Sequence, residues 1–335
     1  MNFLQKEIKN EIMATDILIC IYDERPKEEI QKSLDESFKI LKDIEKRFSR
    51  FLPNNELSAF NSFGSLKNPS ENIQLSDDFY QMLEKSLFFN KFTNGAFDIS
   101  ILPNLINEGY NISKTKGYYK PSILNSKSDS PIPESSSNLN TKKTSKITNL
   151  VLNKQDKTAT KPLDLKIDLG GIAKGYAVDK VSKFLKEKYS NFLIDAGGDI
   201  YAQGIDLKNN YQYWAIDIEN PLLTNISSDT LIVSDKGTAT SGINRRKWTK
   251  DGIQKNHIIN PKTGKSVSND ILSVTVISGT ATQSDILAKS LLIMGIEKGI
   301  KFSEEKEIAS YFIDKNLKTF KSSKINKYIW KEKTN

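Results

Sequence analysis

The stretch Lys166-Ile-Asp168-Leu-Gly170-Gly171-Ile-Ala-Lys174-Gly175-Tyr-Ala-Val-Asp179 decides how the rest of the chain is read. Lys166–Leu169 reads as a strand that runs into a glycine pair, and Ile172 to about Lys188 reads as a helix. At such a helix entrance, unpaired backbone N–H groups and the positive end of the helix dipole face outward, a layout suited to anions. Lys174 sits one turn inside, where its ammonium reaches a phosphate as a point charge. The spacing is neither G-x-G-x-x-G nor G-x-x-x-x-G-K-[ST], so it points to neither a Rossmann nor a P-loop fold. The same glycines also suit a plain tight turn that needs small residues, and spacing alone leaves both readings open.

Working outward, residues 12–22 read as a strand. Ile30, Leu34, Phe38, Leu41, Ile44 and Phe48 then recur every three or four residues, one face of a long helix. A second helix starts after Ser76, a suitable N-cap, and carries Phe79, Leu83 and Leu87 toward Thr93-Asn94-Gly95. Downstream, residues 149–153, 192–195, 200–203, 214–218 and 231–234 read as short strands, 237–242 as a loop, 273–278 as a strand and 284–294 as a helix. Strands and helices mix without a regular βαβ repeat, which predicts an α+β fold with mixed or antiparallel sheets flanked by helices.

The chain has 335 residues, a single cysteine (Cys20) and a single histidine (His257), which excludes disulfide frameworks, Cys/His zinc sites and multi-histidine metal centres. The formal net charge is +8, but residues 111–166 hold eleven Lys against four acids and residues 298–335 ten Lys against five. The basic charge thus sits on padding and tail. Arg, the residue of base and phosphate forks, is confined to Arg25, Arg47, Arg50, Arg245 and Arg246, so no nucleic-acid partner is expected. Ile17–Tyr22 is only of strand length, so no transmembrane segment and no export signal are expected, and the chain reads as cytoplasmic. Residues 121–145 contain eight Ser, three Pro and no aromatic. Such a composition buries too little apolar surface to offset its ordering entropy, and 119–147 reads as a solvated, disordered Ser/Lys-rich insertion.

Further segments carry chemistry-bearing residues. Asp195-Ala-Gly-Gly-Asp199 reads as a hairpin or bulge turn, or as bare backbone open to a flat ligand. Asp98 in Asn94-Gly-Ala-Phe-Asp98 caps locally or binds a ligand hydroxyl. His257, beside the turn Asn260-Pro-Lys-Thr-Gly264, is the one side chain with an unperturbed pKa near neutrality. Asp285, at a helix start, is a dipole partner or a hard oxygen ligand for Mg²⁺.

Together and in order, these segments resemble the ApbE-type flavin transferase family (FAD:protein FMN transferase). The resemblance runs from Met13-Ala-Thr15 through Ser49-Arg-Phe51, Glu56-Leu-Ser-Ala-Phe-Asn61 and Gly95-Ala-Phe-Asp98 to Asp168–Asp179. It continues through Asp195–Gly204, Thr240-Ser-Gly242, His257–Gly264 and Asp285–Gly295. It covers residues 12–313 as one FAD-binding domain with the 119–147 insertion inside it, and leaves 314–335 as a basic C-terminal tail. The resemblance implies an ApbE-like fold and a Mg²⁺-dependent transfer of FMN from FAD to a Thr or Ser hydroxyl of an acceptor protein, with release of AMP. The acceptor would carry a D-G-x-[ST]-G-A-[ST]-like site. It further implies that Met13, Phe51, Ala96, Phe97 and Asp98 line the flavin or adenine pockets, and that Asp168 and Lys174 serve the diphosphate. Asp179 would contact the nucleotide. His257 and Ile258 would contact the dinucleotide, His257 would activate the acceptor hydroxyl, and the Gly171 carbonyl and the Asp285 carboxylate, itself counted as catalytic, would hold the metal. One position departs: Lys289 stands where the family usually has a metal-ligating Thr. Either its ammonium takes the cation's place beside Asp285, which suits an FAD pyrophosphatase or a non-catalytic FAD-binding protein, or it swings outward and leaves the metal its place.

Overall fold

The computed structural model describes residues 2–63, 72–110, 145–209, 211–223, 225–244 and 246–331. The Ser/Lys-rich insertion therefore lies outside the described residues, except for its last three positions. Of these, Ser145 hydrogen-bonds Asp164 and Ile147 is fully buried.

Eight strands form one sheet: β1 (Asn2–Ile12), β2 (Thr15–Asp23), β3 (Asn191–Ala196), β4 (Asp199–Gln203), β5 (Lys236–Gly242), β6 (Ile271–Ser278), β7 (Ala309–Asp314) and β8 (Thr319–Lys321). They lie side by side in chain order, each antiparallel to the next. Among the described residues seven α-helices accompany them: α1 (Lys27–Phe48), α2 (Glu56–Ser62), α3 (Asp77–Phe92), α4 (Leu102–Asn107), α5 (Ala173–Lys186), α6 (Ala281–Met294) and α7 (Ile296–Glu305). The two-residue periodicity of β2 divides the layers. Ile17, Ile19 and Ile21 bury into the helix-side core, whereas Cys20 and Tyr22 pack on the other face under a hairpin, Trp214–Glu219 with Ser227–Val233. On the helix side, α1 lies on α5 and α5 on α6. All six residues of the predicted α1 stripe are buried, and Ser76 caps α3 by accepting from the Phe79 N–H.

The structure corrects five expectations. Residues 12–22 are not one strand: Met13 and Ala14 form a two-residue hairpin loop between β1 and β2, with φ of 54° at both. Residues 166–169 are extended but join no sheet. Their backbone is held by a side chain, Asn61, which donates to the Ile167 carbonyl (2.9 Å) and accepts from the Ile167 N–H (2.8 Å). The expected loop at 237–242 is β5, a central strand, because α6 crosses so closely above it that a Cβ on Gly237 would come within 2.2 Å of the Thr280 carbonyl carbon. Finally, the described part of the expected tail, 314–331, does not hang free. β8 extends the sheet, Ile325 is fully buried, and Ile329 bridges to Leu231. Likewise Asn149 belongs to a 3-10 turn, with a short strand only from Val151 to Asn153. No helix among the described residues is long and apolar enough to cross a membrane.

Candidate functional site

The helix mouth is built from the extended segment 166–169. Asp168 donates its N–H to the Ile99 carbonyl (2.8 Å), and its Oδ1 accepts from the Gly170 N–H (2.9 Å), which turns the chain toward α5. Its Oδ2 pairs with Arg50 Nε at 2.8 Å. Arg50 is buried, donates to the Tyr110 carbonyl (2.5 Å) and stacks its guanidinium over the Phe51 and Tyr110 rings.

Two cavities meet here. One is lined by Met13, Ala14, Phe51, Lys174 and neighbours, the other by Ala96, Phe97, Asp98, Gly171, His257, Ile258 and Lys289. They share the walls Tyr110, Asp168, Gly170 and Arg246. The result is a two-lobed cleft whose waist is the glycine mouth. Asp98 spends Oδ1 on the Ser100 N–H and hydroxyl, and burial raises its pKa against those bonds.

Beneath the waist lie four charges from three elements. Lys174 on α5 donates to the Ala196 carbonyl (2.9 Å) and stands 2.7 Å from Asp199 Oδ2, an ion pair without the angle of a hydrogen bond. On α6, Lys289 Nζ lies 3.1 Å from Asp285 Oδ1, one turn apart, while the buried Asp285 Oδ2 has no hydrogen-bond partner. Burial raises the Asp199 pKa first, and the neighbouring Asp285 charge second, with Lys174 and Lys289 opposing both. Asp199, Asp285, Lys174 and Lys289 thus sense one another, although they lie up to 115 positions apart.

His257 departs from its expected behaviour. Burial, then the positive charges of Arg246 and Lys289, push its pKa down to about 3, so the imidazole is neutral at pH 7. Its Nδ1 is buried without a hydrogen-bond partner. Asp179 is not on either cavity wall. It caps α6 instead, accepting from the Ala281 N–H (2.8 Å), the Thr282 N–H (3.0 Å) and the Thr282 hydroxyl. A carboxylate suits the positive end of that helix, and the hydrogen bonds of Asp179 go there.

The donor set does not fit magnesium. Lys289 Nζ stands 3.1 Å from Asp285 Oδ1 and 3.3 Å from where a Cβ on Gly171 would lie, so an ammonium without a lone pair is paired with one implied ligand and close to the residue that supplies the other. Among the described residues no group of three His, Cys, Asp or Glu could hold a metal ion. Sequence reading did not single out Arg50, Tyr110, Arg246 or Asp199 for the site. The scarcity of Arg was a usable signal, since two of the chain's five line the cleft. Asp199 was hidden in what reads as an ordinary hairpin turn.

A profile of the ApbE family matches residues 13–312. The FAD:protein FMN transferase of Haemophilus influenzae is 30% identical over 288 residues, 84% of this chain and 78% of that one. Its counterpart from Vibrio cholerae is 29% identical over 300 residues, 88% and 83% of the two chains. The crystal structure of flavin transferase ApbE from Vibrio cholerae superposes with a TM-score of 0.76 at 26% identity, covering 98% of this chain and 100% of that one. The ApbE protein of Thermotoga maritima shares the fold with a TM-score of 0.81 at 21% identity, over 98% and 100% of the chains. The chain therefore belongs to the ApbE family.

Proposed function

We propose that this chain transfers the FMN half of FAD to a Ser or Thr hydroxyl of an acceptor protein and releases AMP. The observation that supports it most is the two-lobed cleft narrowed at a glycine mouth, with Lys174 under the waist. A dinucleotide has the same plan, two flat rings joined by a diphosphate. Phe51 and Met13 offer one ring an apolar wall, and Phe97 and Ile258 the other. The backbone at Gly170 and Gly171 and the Lys174 ammonium face the diphosphate, where positioning and charge supply most of the catalysis of phosphoryl transfer.

In the step itself, the acceptor hydroxyl oxygen bonds to the FMN-side phosphorus. The bond from that phosphorus to the bridging oxygen breaks, and AMP leaves with that oxygen. The hydroxyl proton passes to His257, which is neutral and therefore able to take it. Arriving diphosphate brings negative charge beside the imidazole, which raises its proton affinity when the base is needed.

Incubating the protein with FAD and a D-G-x-[ST]-G-A-[ST] peptide tests this by mass spectrometry. The expected result is a peptide heavier by one FMN together with free AMP. AMP with free FMN and an unchanged peptide would establish the hydrolase instead. The Lys289–Asp285 pair favours one second reading, a protein that holds FAD without turning it over, and intact FAD throughout would establish that.

A further inference from the structure

Lys289 is the residue whose position asks for an explanation. It projects from the third turn of α6 into the lobe walled by Phe97, Gly171 and His257, and its side chain is 17% exposed. Its Nζ touches Asp285 Oδ1 at 3.1 Å, and the absent Cβ of Gly171 is what leaves it room. Any side chain at 171 would stand 3.3 Å from both this ammonium and the Phe97 ring.

The charges under the mouth form a closed set. Asp199 and Asp285 face Lys174 and Lys289, with no net negative charge left to draw in a divalent ion. A divalent ion reaching Asp285 would have to displace one ammonium and stand near another. A doubly negative diphosphate meets the opposite situation: two ammoniums already in place and held by carboxylates. A lysine ammonium has three donors, and Asp285 occupies one of those of Lys289. Charges fixed before the substrate arrives need no reorganisation when it does.

On the flavin reading above, we propose that Lys289 is the resident cation of the diphosphate site: it neutralises the bound dinucleotide in place of a divalent metal, so FAD binds to this chain without one. The test is FAD affinity, followed by flavin fluorescence, on the full chain in EDTA and then in excess MgCl2. The wild-type dissociation constant is expected to agree within about twofold between the two conditions, a difference of no more than ~0.4 kcal/mol. Lys289→Met should weaken binding in EDTA by about tenfold or more, the scale of one hydrogen bond to a charged group. Lys289→Thr should bind weakly in EDTA and recover with MgCl2.

Wild-type affinity that rises about tenfold or more with MgCl2 overturns the proposal, as does a Lys289→Met protein, folded by circular dichroism, that binds as wild type does in EDTA. Metal-dependent binding would sink this proposal and leave the flavin reading standing. No FAD binding in either condition would sink both.

Discussion

Two ionic clusters in this molecule both set basic side chains against carboxylates and end in opposite states. In the first, Arg47 on α1 pairs with Glu56 (2.6 Å), Asp78 (2.8 Å) and Asp43 (3.0 Å) and donates to the Ser76 hydroxyl (2.7 Å). Asp78 is also reached by Lys180 (2.9 Å) and the Tyr176 hydroxyl (2.8 Å). Burial works to raise the Asp78 pKa, but the bonds from Lys180, Arg47 and Tyr176 outweigh it and hold the carboxyl below its usual value. In the second cluster, under the glycine mouth, burial and Asp285 win and the Asp199 pKa is raised, while an oxygen of Asp285 stays unpaired. A satisfied network ties α1, α2, α3 and α5 together. An unsatisfied one, in a cleft, is held ready for something that is not protein.

The largest expected effect separates the two directly. Asp285→Ala frees the Lys289 ammonium from its anchor and should lower FMN transfer about a hundredfold, the scale of losing one preorganised charge contact. FAD affinity should hold or rise, because a carboxylate has gone and both ammoniums remain. Arg47→Ala should do the reverse: stability falls by about 2 kcal/mol, less than for a fully buried pair because Arg47 is partly exposed, and kcat and KM move less than about twofold. Steady-state kinetics and urea unfolding on both variants make the check. A stable, inactive Arg47→Ala protein would erase the distinction.

The next effect uses pH. An ordinary His has a pKa of 6.5, and His257 is held at about 3, so below pH 6.5 the unfolded chain takes up a proton that the folded chain refuses. The stability associated with the neutral ring is complete above pH 6.5 and is lost as pH falls toward about 3. Between pH 6.5 and 4.5 this amounts to about 2 kcal/mol, after a discount for the partly open ring. His257→Gln should lose that much less over the same interval by urea unfolding at the two values. An equal loss in both proteins would mean that the ring titrates normally and that the cleft around it is wetter than its burial implies.

Legibility followed the physics of each segment. α1, α3, α6 and β6 were readable because a repeating apolar face has one solution, and the structure uses it. β5 was not, because Gly237-Thr-Ala-Thr-Ser-Gly242 carries the small polar residues of a loop. Those residues are needed there for the close crossing of α6, a cause that lies 43 positions downstream at Thr280. Residues 166–169 misled for a related reason: their backbone partners are one Asn side chain and the Ile99 carbonyl, not a strand. In the site, residues inside compact motifs were found and placed on the cleft, among them Phe97, Asp168, Lys174 and His257. Asp179 was expected at the nucleotide on the family resemblance, and in the structure its partners are the N–H groups of another helix. A carboxylate near a helix N-terminus reads the same in sequence whichever helix it serves.

The smallest effect tests whether strain belongs to the second region as well. Met13 and Ala14 hold φ of 54° in a loop where a left-handed pair normally calls for Asn or Gly, and Met13 donates its N–H to the Glu45 carboxylate at the cavity wall. Ala14→Gly relieves roughly 1 kcal/mol of left-handed strain. It also adds roughly 0.4–1 kcal/mol of unfolded-chain freedom. The two nearly cancel, so the thermal midpoint should move by less than about 4 °C. What changes is definition: a loop free to leave the left-handed region holds Met13 less firmly, and FAD affinity should weaken by about threefold, well under 1 kcal/mol. Weaker binding at unchanged stability would tie the strained loop to the cleft. A midpoint that rises clearly with affinity intact would instead assign the strain to sheet packing and leave the unpaired groups of the cleft, Asp285 Oδ2 and His257 Nδ1, outside its influence.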